Sequence, residues 1–166
     1  MTNTETEKFR IRMTTETDVP EVMKLYVGAR EFMRTHGNPN QWGSSWPTEK
    51  LIRRDIERQK HYVCLSGESM AAVFYFDIGH DKLYDELEDG EWLKTNDTYG
   101  MIFRIAASGL VAGAASYCVN WAFRQCGDLR IDTREENRPM IGMLEKNGFQ
   151  YCGHLKLSVR RAYQKI

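Results

Sequence analysis

Residues 105–123 carry no charged side chain and are bounded by Arg104 and Arg124. An uncharged run of this length either spans a membrane or lies inside a folded domain. This one is rich in Ala, Gly and Ser, contains Asn120 and is broken at Ser108-Gly109, a composition that partitions poorly into lipid. It reads instead as a buried strand over 101–108, a tight turn, and a core helix over 112–125. The joint between them has chemical content. The first turn of a helix leaves N–H groups without intrahelical acceptors, and the helix dipole adds positive potential there. A pyrophosphate satisfies both where no side chain blocks it. Gly109, Gly113, Ala114 and Ala115 keep that approach open. The same pattern also describes a helix packed on a sheet through small residues.

The remaining chain supplies the partners such a unit needs. Residues 9–13 alternate as a strand. Asp18 reads as a helix cap, with Glu21 in capping-box register and Pro20 in the first turn. Val22, Leu25, Tyr26, Ala29 and Met33 form one face of that helix, and Gly37 stops it. Thr48 caps a second helix with Leu51, Ile52 and Ile56 inward. Residues 37–47 form a turn-rich loop bearing Trp42 and Trp46. Strands at 61–66 and 70–78 join through Gly67. Residues 79–98, acidic and polar, read as a surface connection with a helical turn at 82–87. A strand at 128–132 and a helix at 137–147 follow, the helix facing inward through Met140, Met143 and Leu144. Closing strands occupy 149–155 and 160–165. The order βααβββαβαββ predicts an α/β (α+β) layer with a mixed sheet. Residues 1–8 read as a frayed polar start, and 9–166 as one domain.

Composition narrows the function. Lys plus Arg equals Asp plus Glu at 23 each, so no bulk charge favours nucleic acid or an acidic membrane. Residues 1–8 lack the layout of a signal peptide, so a cytoplasmic protein is expected; a monomer or homodimer is expected as well. Cys64, Cys118, Cys126 and Cys152 form no C-x-x-C pair and have no histidine at zinc spacing. They read as reduced, buried thiols, with no metal site.

In element order and in several local motifs, residues 9–165 resemble the GNAT superfamily of N-acetyltransferases. The superfamily loop is Q/R-x-x-G-x-G/A. Leu110-Val-Ala-Gly113-Ala-Ala115 matches at the Gly and the final Ala, while Leu110 stands in place of Gln or Arg and Ala112 in place of a basic residue. The run from Asn137 to Gly148-Phe149 is similar to the segment that starts the family's last helix and ends in G-F. Gln41-Trp42 after Gly37, Arg130-Ile-Asp-Thr133, and Gly148-Phe-Gln-Tyr-Cys-Gly153 are similar to motifs of a bacterial branch of the family.

The resemblance implies acetyl-CoA as cofactor and transfer of an acetyl group to an amine of a small-molecule or peptide acceptor, by direct attack in a ternary complex. It implies that the strand through Phe103, Ile105 and Ala107 offers main-chain hydrogen bonds to the pantetheine. Leu110, Val111, Ala112, Gly113, Ala114 and Ala115 would hold the pyrophosphate. Asn137 would contact the pantetheine, a role that coexists with capping its helix; Lys146 would approach the 3′-phosphate or remain a solvated helix-end lysine. The family's usual acid, a Tyr seven residues past Asn137, is Leu144 here.

Tyr151, Cys152 and His154 are the nearby substitutes. Strand alternation would put Tyr151 and Cys152 on opposite faces and Cys152 with His154 on one. Asp132, at a strand end, is the carboxylate placed to help deprotonate the amine, or else a cap with Thr133. Trp42 and Trp46 would line the acceptor pocket or anchor their loop to the core. His61 and His80 read as surface residues, and His36 as a complement to a helix end. The alternatives are a module that binds acyl-CoA without turning it over, and a hydrolase built on Cys152 and His154.

Overall fold

Eight strands form one mixed sheet in the computed structural model, which describes residues 8–166. In chain order the elements are β1 (Arg10–Met13), α1 (Val19–Thr35), α2 (Glu49–Glu57), β2 (His61–Ser66), β3 (Ser69–Gly79), β4 (Leu87–Glu88), β5 (Tyr99–Ala107), α3 (Ala114–Cys126), β6 (Leu129–Arg134), α4 (Arg138–Lys146), β7 (Gln150–Leu155) and β8 (Arg160–Lys165). This is the expected α/β order with one addition, the two-residue β4. The polar start expected over 1–8 lies, apart from Lys8, outside the described residues.

The strands run β1-β2-β3-β5-β6-β8-β7-β4 across the sheet. Only β5 and β6 pair in parallel, and they do so at two positions, Gly100 with Leu129 and Met101 with Arg130. Beyond Met101 the strands diverge and open a V in the sheet. Gly100 sits at the vertex, where an added Cβ would lie 2.5 Å from Cys126 Sγ at the end of α3. The absence of a side chain there lets the helix close over the joint.

Burial on both faces explains the long apolar strands. Val63, Leu65, Val73 and Ala106 pack with α1 and α2 on one side. Cys64, Phe74, Ile102, Ile105 and Ile131 pack with α3 and α4 on the other. Four-residue spacing in α2 buries Ile52 and Ile56 together, and the Thr48 hydroxyl accepts from Leu51 N–H at 3.2 Å, as expected for the cap.

Two local readings are corrected. The cap of α1 begins one turn earlier than Asp18 and Glu21 suggest. The Asp18 carboxylate accepts from Thr15 N–H at 2.7 Å and pairs with Arg12, closing a 3-10 turn over Glu16–Asp18. The segment 79–98 is also more than a surface connection. Tyr84 and Trp92 are buried with Tyr99, Cys152 and Leu155 in a third cluster. Their aromatic bulk outweighs the acidic composition around them. No helix among the described residues is long and apolar enough to cross a membrane.

Candidate active site

The V is shaped by a bulge in β5. Val73 faces Ala106 and Tyr75 faces Phe103, so Phe74 alone opposes both Arg104 and Ile105. Arg104 takes φ +53°, a conformation an L-residue holds only when its surroundings enforce it. Tyr26 OH donates to the Arg104 carbonyl at 2.8 Å. The same hydroxyl lies 2.9 Å from His61 Nε2, and His61 Nδ1 lies 2.7 Å from Thr14 Oγ1. With the Tyr26 proton spent on the carbonyl, His61 carries its proton on Nε2 and accepts from Thr14. Arg104 Nε and Nη2 both donate to Asp55 Oδ2, at 2.9 and 2.7 Å.

These groups are buried, and their ionisation follows. Burial, reinforced by Arg104, lowers the His61 pKa to about 3 and keeps the ring neutral. Burial raises the Tyr26 hydroxyl and raises Asp55, the latter against the pull of Arg104. His61 is thus a fully buried residue under the bulge, a correction to the surface position expected from sequence. His80 is exposed and pairs with Asp85. His36 stacks on Phe32 at the end of α1 and meets the Phe32 carbonyl at 2.8 Å.

On one side of β5 lies a groove of about 580 Å³ between α1, α3 and α4, whose walls include Leu25, Gly28, Phe32, Met140 and Met143. Of the residues expected to hold the cofactor, Ile105, Ala107, Leu110, Ala115 and Asn137 line it. Gly113 caps α3 with φ +87°, a conformation natural to glycine. The first backbone bond of α3 runs from Tyr117 N–H to the Gly113 carbonyl at 2.9 Å, which leaves the N–H groups of Ala114, Ala115 and Ser116 for an external acceptor. Ala112 is exposed, and its carbonyl accepts from Lys8 Nζ at 3.2 Å. Val111 packs against the core, and the Ala114 methyl is buried, so Ala114 offers only its backbone. Lys146 is exposed at the end of α4.

On the other side, a cavity of about 560 Å³ occupies the mouth of the V. Ile102, Phe103, Arg104 and Ile105 form one wall and Ile131, Asp132 and Arg160 the other, with Gln41, Trp42, Trp46, Asp81, Leu83 and Met140 around them. Ile105 and Met140 line both spaces, so groove and cavity meet at the bulge. Phe103 faces this cavity and is absent from the lining of the groove.

Trp42 is buried against Tyr26, and Trp46 is 38% exposed, edge-on to Trp42. Asp132 has both oxygens engaged: Tyr84 OH donates to Oδ1 at 2.5 Å, and Arg160 Nε pairs with Oδ2. Asp81 Oδ1 accepts from Leu83 N–H at 2.9 Å, and no other side-chain partner of this carboxylate is found among the described residues.

Tyr151 lines neither space. It is exposed on β7, with its hydroxyl 2.8 Å from His154 Nδ1 and Arg161 stacked on its ring. A bulge between Tyr151 and Gly153 shifts the register and turns His154 to the face of Tyr151. Cys152 is buried on the opposite face, so the expected pairing of Cys152 with His154 does not form. Leu144 is fully buried in the core.

Sequence reasoning missed Asp55, Arg104, Asp81 and Arg160. It quoted Gln41 only as part of a motif. Its Oε1 accepts from Asn38 Nδ2 at 2.9 Å, Asn137 Nδ2 at 3.2 Å and Thr133 Oγ1 at 3.3 Å. Asn137 Oδ1 meanwhile accepts from Met140 N–H at 3.4 Å, the expected cap. One amide thereby ties the tryptophan loop to β6 and α4.

The chain is similar to several solved structures along nearly its whole length. A GNAT-family acetyltransferase from Streptococcus agalactiae shares 30% identity at a TM-score of 0.89, with 95% of each chain covered. A GNAT-family acetyltransferase from Listeria monocytogenes shares 19% identity at a TM-score of 0.69, covering 95% of this chain and 94% of its own. Naa50 of Arabidopsis thaliana, in complex with the bisubstrate analogue CoA-Ac-MVNAL, shares 10% identity at a TM-score of 0.60, covering 96% of this chain and 99% of its own. At those lower identities the likeness is one of fold. No protein-family model and no curated protein matches the sequence.

Proposed function

Since the chain belongs to the GNAT family of acetyltransferases, we propose that it transfers an acetyl group from acetyl-CoA to an amine by direct attack in a ternary complex. The observation that carries this reading is the meeting of groove and cavity at Ile105 and Met140. Two ligands, one in each space, would come together there without crossing the core.

The residues fit the cofactor. Backbone N–H groups at the start of α3 would take the pyrophosphate, with Gly113 leaving no side chain in its way. The diverging edge of β5 leaves main-chain groups for an extended pantetheine, as a sheet edge accepts a strand. Asn137, buried and held by Gln41, borders the same groove. Bound acetyl-CoA supplies a thioester whose thiolate, with a thiol pKa near 8–9, leaves without a dedicated acid. That suits a chain with Leu144 at the family's tyrosine position.

Backbone N–H groups near the β5 bulge would polarise the acetyl carbonyl. Asp132 would orient Arg160 through Oδ2, with Oδ1 held by Tyr84. Asp81, with Oδ2 available, would draw the proton from the entering ammonium through solvent. Leu144 is the feature that favours the alternative of acyl-CoA binding without turnover; the second cavity favours transfer.

The test is thiol release from acetyl-CoA across a panel of primary amines, beside the melting temperature with and without CoA. Binding to the folded state should raise that temperature. An unmoved melting curve at saturating CoA would sink the proposal. A CoA shift with no turnover across a broad amine panel would leave the binding module.

A further inference from the structure

The acceptor cavity contains two guanidinium groups on opposite walls, each held from behind by a buried carboxylate. Arg104 on β5 gives Nε and Nη2 to Asp55, whose side chain is 2% exposed. Arg160 on β8 gives Nε to Asp132, whose side chain is 3% exposed. That leaves Nη1 of Arg104 and both Nη atoms of Arg160 without a protein partner among the described residues. Among the described residues, the unpartnered side-chain atoms sealed from solvent lie elsewhere, on Asn38, Arg130, Arg161 and Tyr163. The free nitrogens of Arg104 and Arg160 are therefore accessible, and both residues line the cavity.

An arginine fixed along one edge presents its other N–H groups in a set direction, so little rotamer entropy remains to be lost when an anion docks. Planar guanidinium donors match planar and tetrahedral oxyanions, a carboxylate among them. Asp81 on the same cavity, with Oδ2 available, adds a place for an ammonium group. Phe103 and Trp46 supply apolar surface between these poles.

We infer that the acceptor is an amino-acid-like zwitterion: a primary amine drawn to Asp81, a carboxylate held between Arg160 and Arg104, and an apolar side chain against Phe103 and Trp46. This rests on the proposed acetyl transfer and names the substrate class for it.

The experiment compares acceptors that differ only in the carboxylate: phenylalanine with phenethylamine, and methionine with 3-(methylthio)propylamine. The acid of each pair should give a kcat/KM at least about tenfold higher, as one charge-assisted contact supplies. Arg160→Gln should bring the ratio of kcat/KM between the acid and the amine of each pair to within about twofold of unity. A readout without turnover uses the products. In the presence of CoA, N-acetylphenylalanine should raise the melting temperature more than N-acetylphenylalanine amide does, and this holds the test open if the variant fails to fold.

Equal kcat/KM within each pair, or equal product shifts, overturns the inference. So does a CoA shift accompanied by no response to any of these acceptors or products. A protein that CoA does not stabilise defeats the acetyl-transfer reading itself, and this one with it.

Discussion

Tyr26 OH donates to the Arg104 carbonyl at 2.8 Å and holds the one β5 residue in left-handed conformation. The contact joins α1 to the bulge on which groove and cavity converge. Tyr26→Phe removes the donor and leaves both that carbonyl and His61 Nε2 short of a partner in a buried setting. The expected cost is about 1–3 kcal/mol in urea denaturation, with a larger proportional loss in kcat than in CoA affinity.

Acid should weaken the protein through His61. Its folded pKa of about 3 lies below the ordinary histidine value of 6.5, so between those values the unfolded chain binds the extra proton. The stability contribution is complete above pH 6.5 and is lost as pH falls toward 3, with a slope of up to about 1.4 kcal/mol per pH unit. Asp18, lowered to about 2 chiefly by its hydrogen bond from Arg12, adds a loss of the same sign at lower pH, below the ordinary aspartate value of 3.8. Denaturation midpoints between pH 7 and 4 should flatten in His61→Gln; an unchanged slope would clear the histidine.

Gly113→Glu should abolish stabilisation by CoA by setting a carboxylate at the start of α3, where negative charge repels the pyrophosphate. Gly113→Ala carries the same backbone strain at φ +87° without the charge. The comparison of their melting shifts isolates the electrostatic part. Equal shifts in the two would place the pyrophosphate elsewhere.

The two tryptophans should separate cleanly. Trp42, packed on Tyr26, is expected to cost about 3–5 kcal/mol when cut to Ala. Trp46→Leu should leave stability nearly intact and raise the KM for the acceptor severalfold, with CoA affinity unchanged. Calorimetry beside acceptor titrations distinguishes them.

Asp132→Asn should lower kcat/KM by loosening Arg160, without changing the form of the pH–rate profile. Asp81→Asn should reduce the rate most at neutral pH and least at high pH, where free amine is abundant. The opposite assignment would return proton transfer to Asp132.

What the sequence revealed, and what it hid, follows the range of the interactions. The loop into α3 was legible because small residues, a glycine cap and an uncharged run lie together in the chain. The Thr48 and Asn137 caps were legible for the same reason. His61 was not, because its burial depends on Thr14 and Tyr26, far away in sequence. Arg104 likewise looked like the edge of an apolar run until α2 supplied Asp55. Strict alternation misplaced His154, since the bulge in β7 is set by pairing with β8 rather than by local composition. Tyr84 and Trp92 were lost in an acidic stretch whose average concealed two anchors.

Gly100 gives the molecule a lever. The closed end of the V is packed against Cys126, and the bulge where groove and cavity meet lies four or five residues along β5, about 15 Å away at the usual strand rise. A small rotation at the closed end therefore becomes a displacement at the mouth that grows with that arm. Gly100→Ala, forced against a sulfur at 2.5 Å, would change the aperture between the two ligands while touching neither. The width of the cavity would thus answer to the size of one residue at the closed end of the V, outside the lining of the cavity itself.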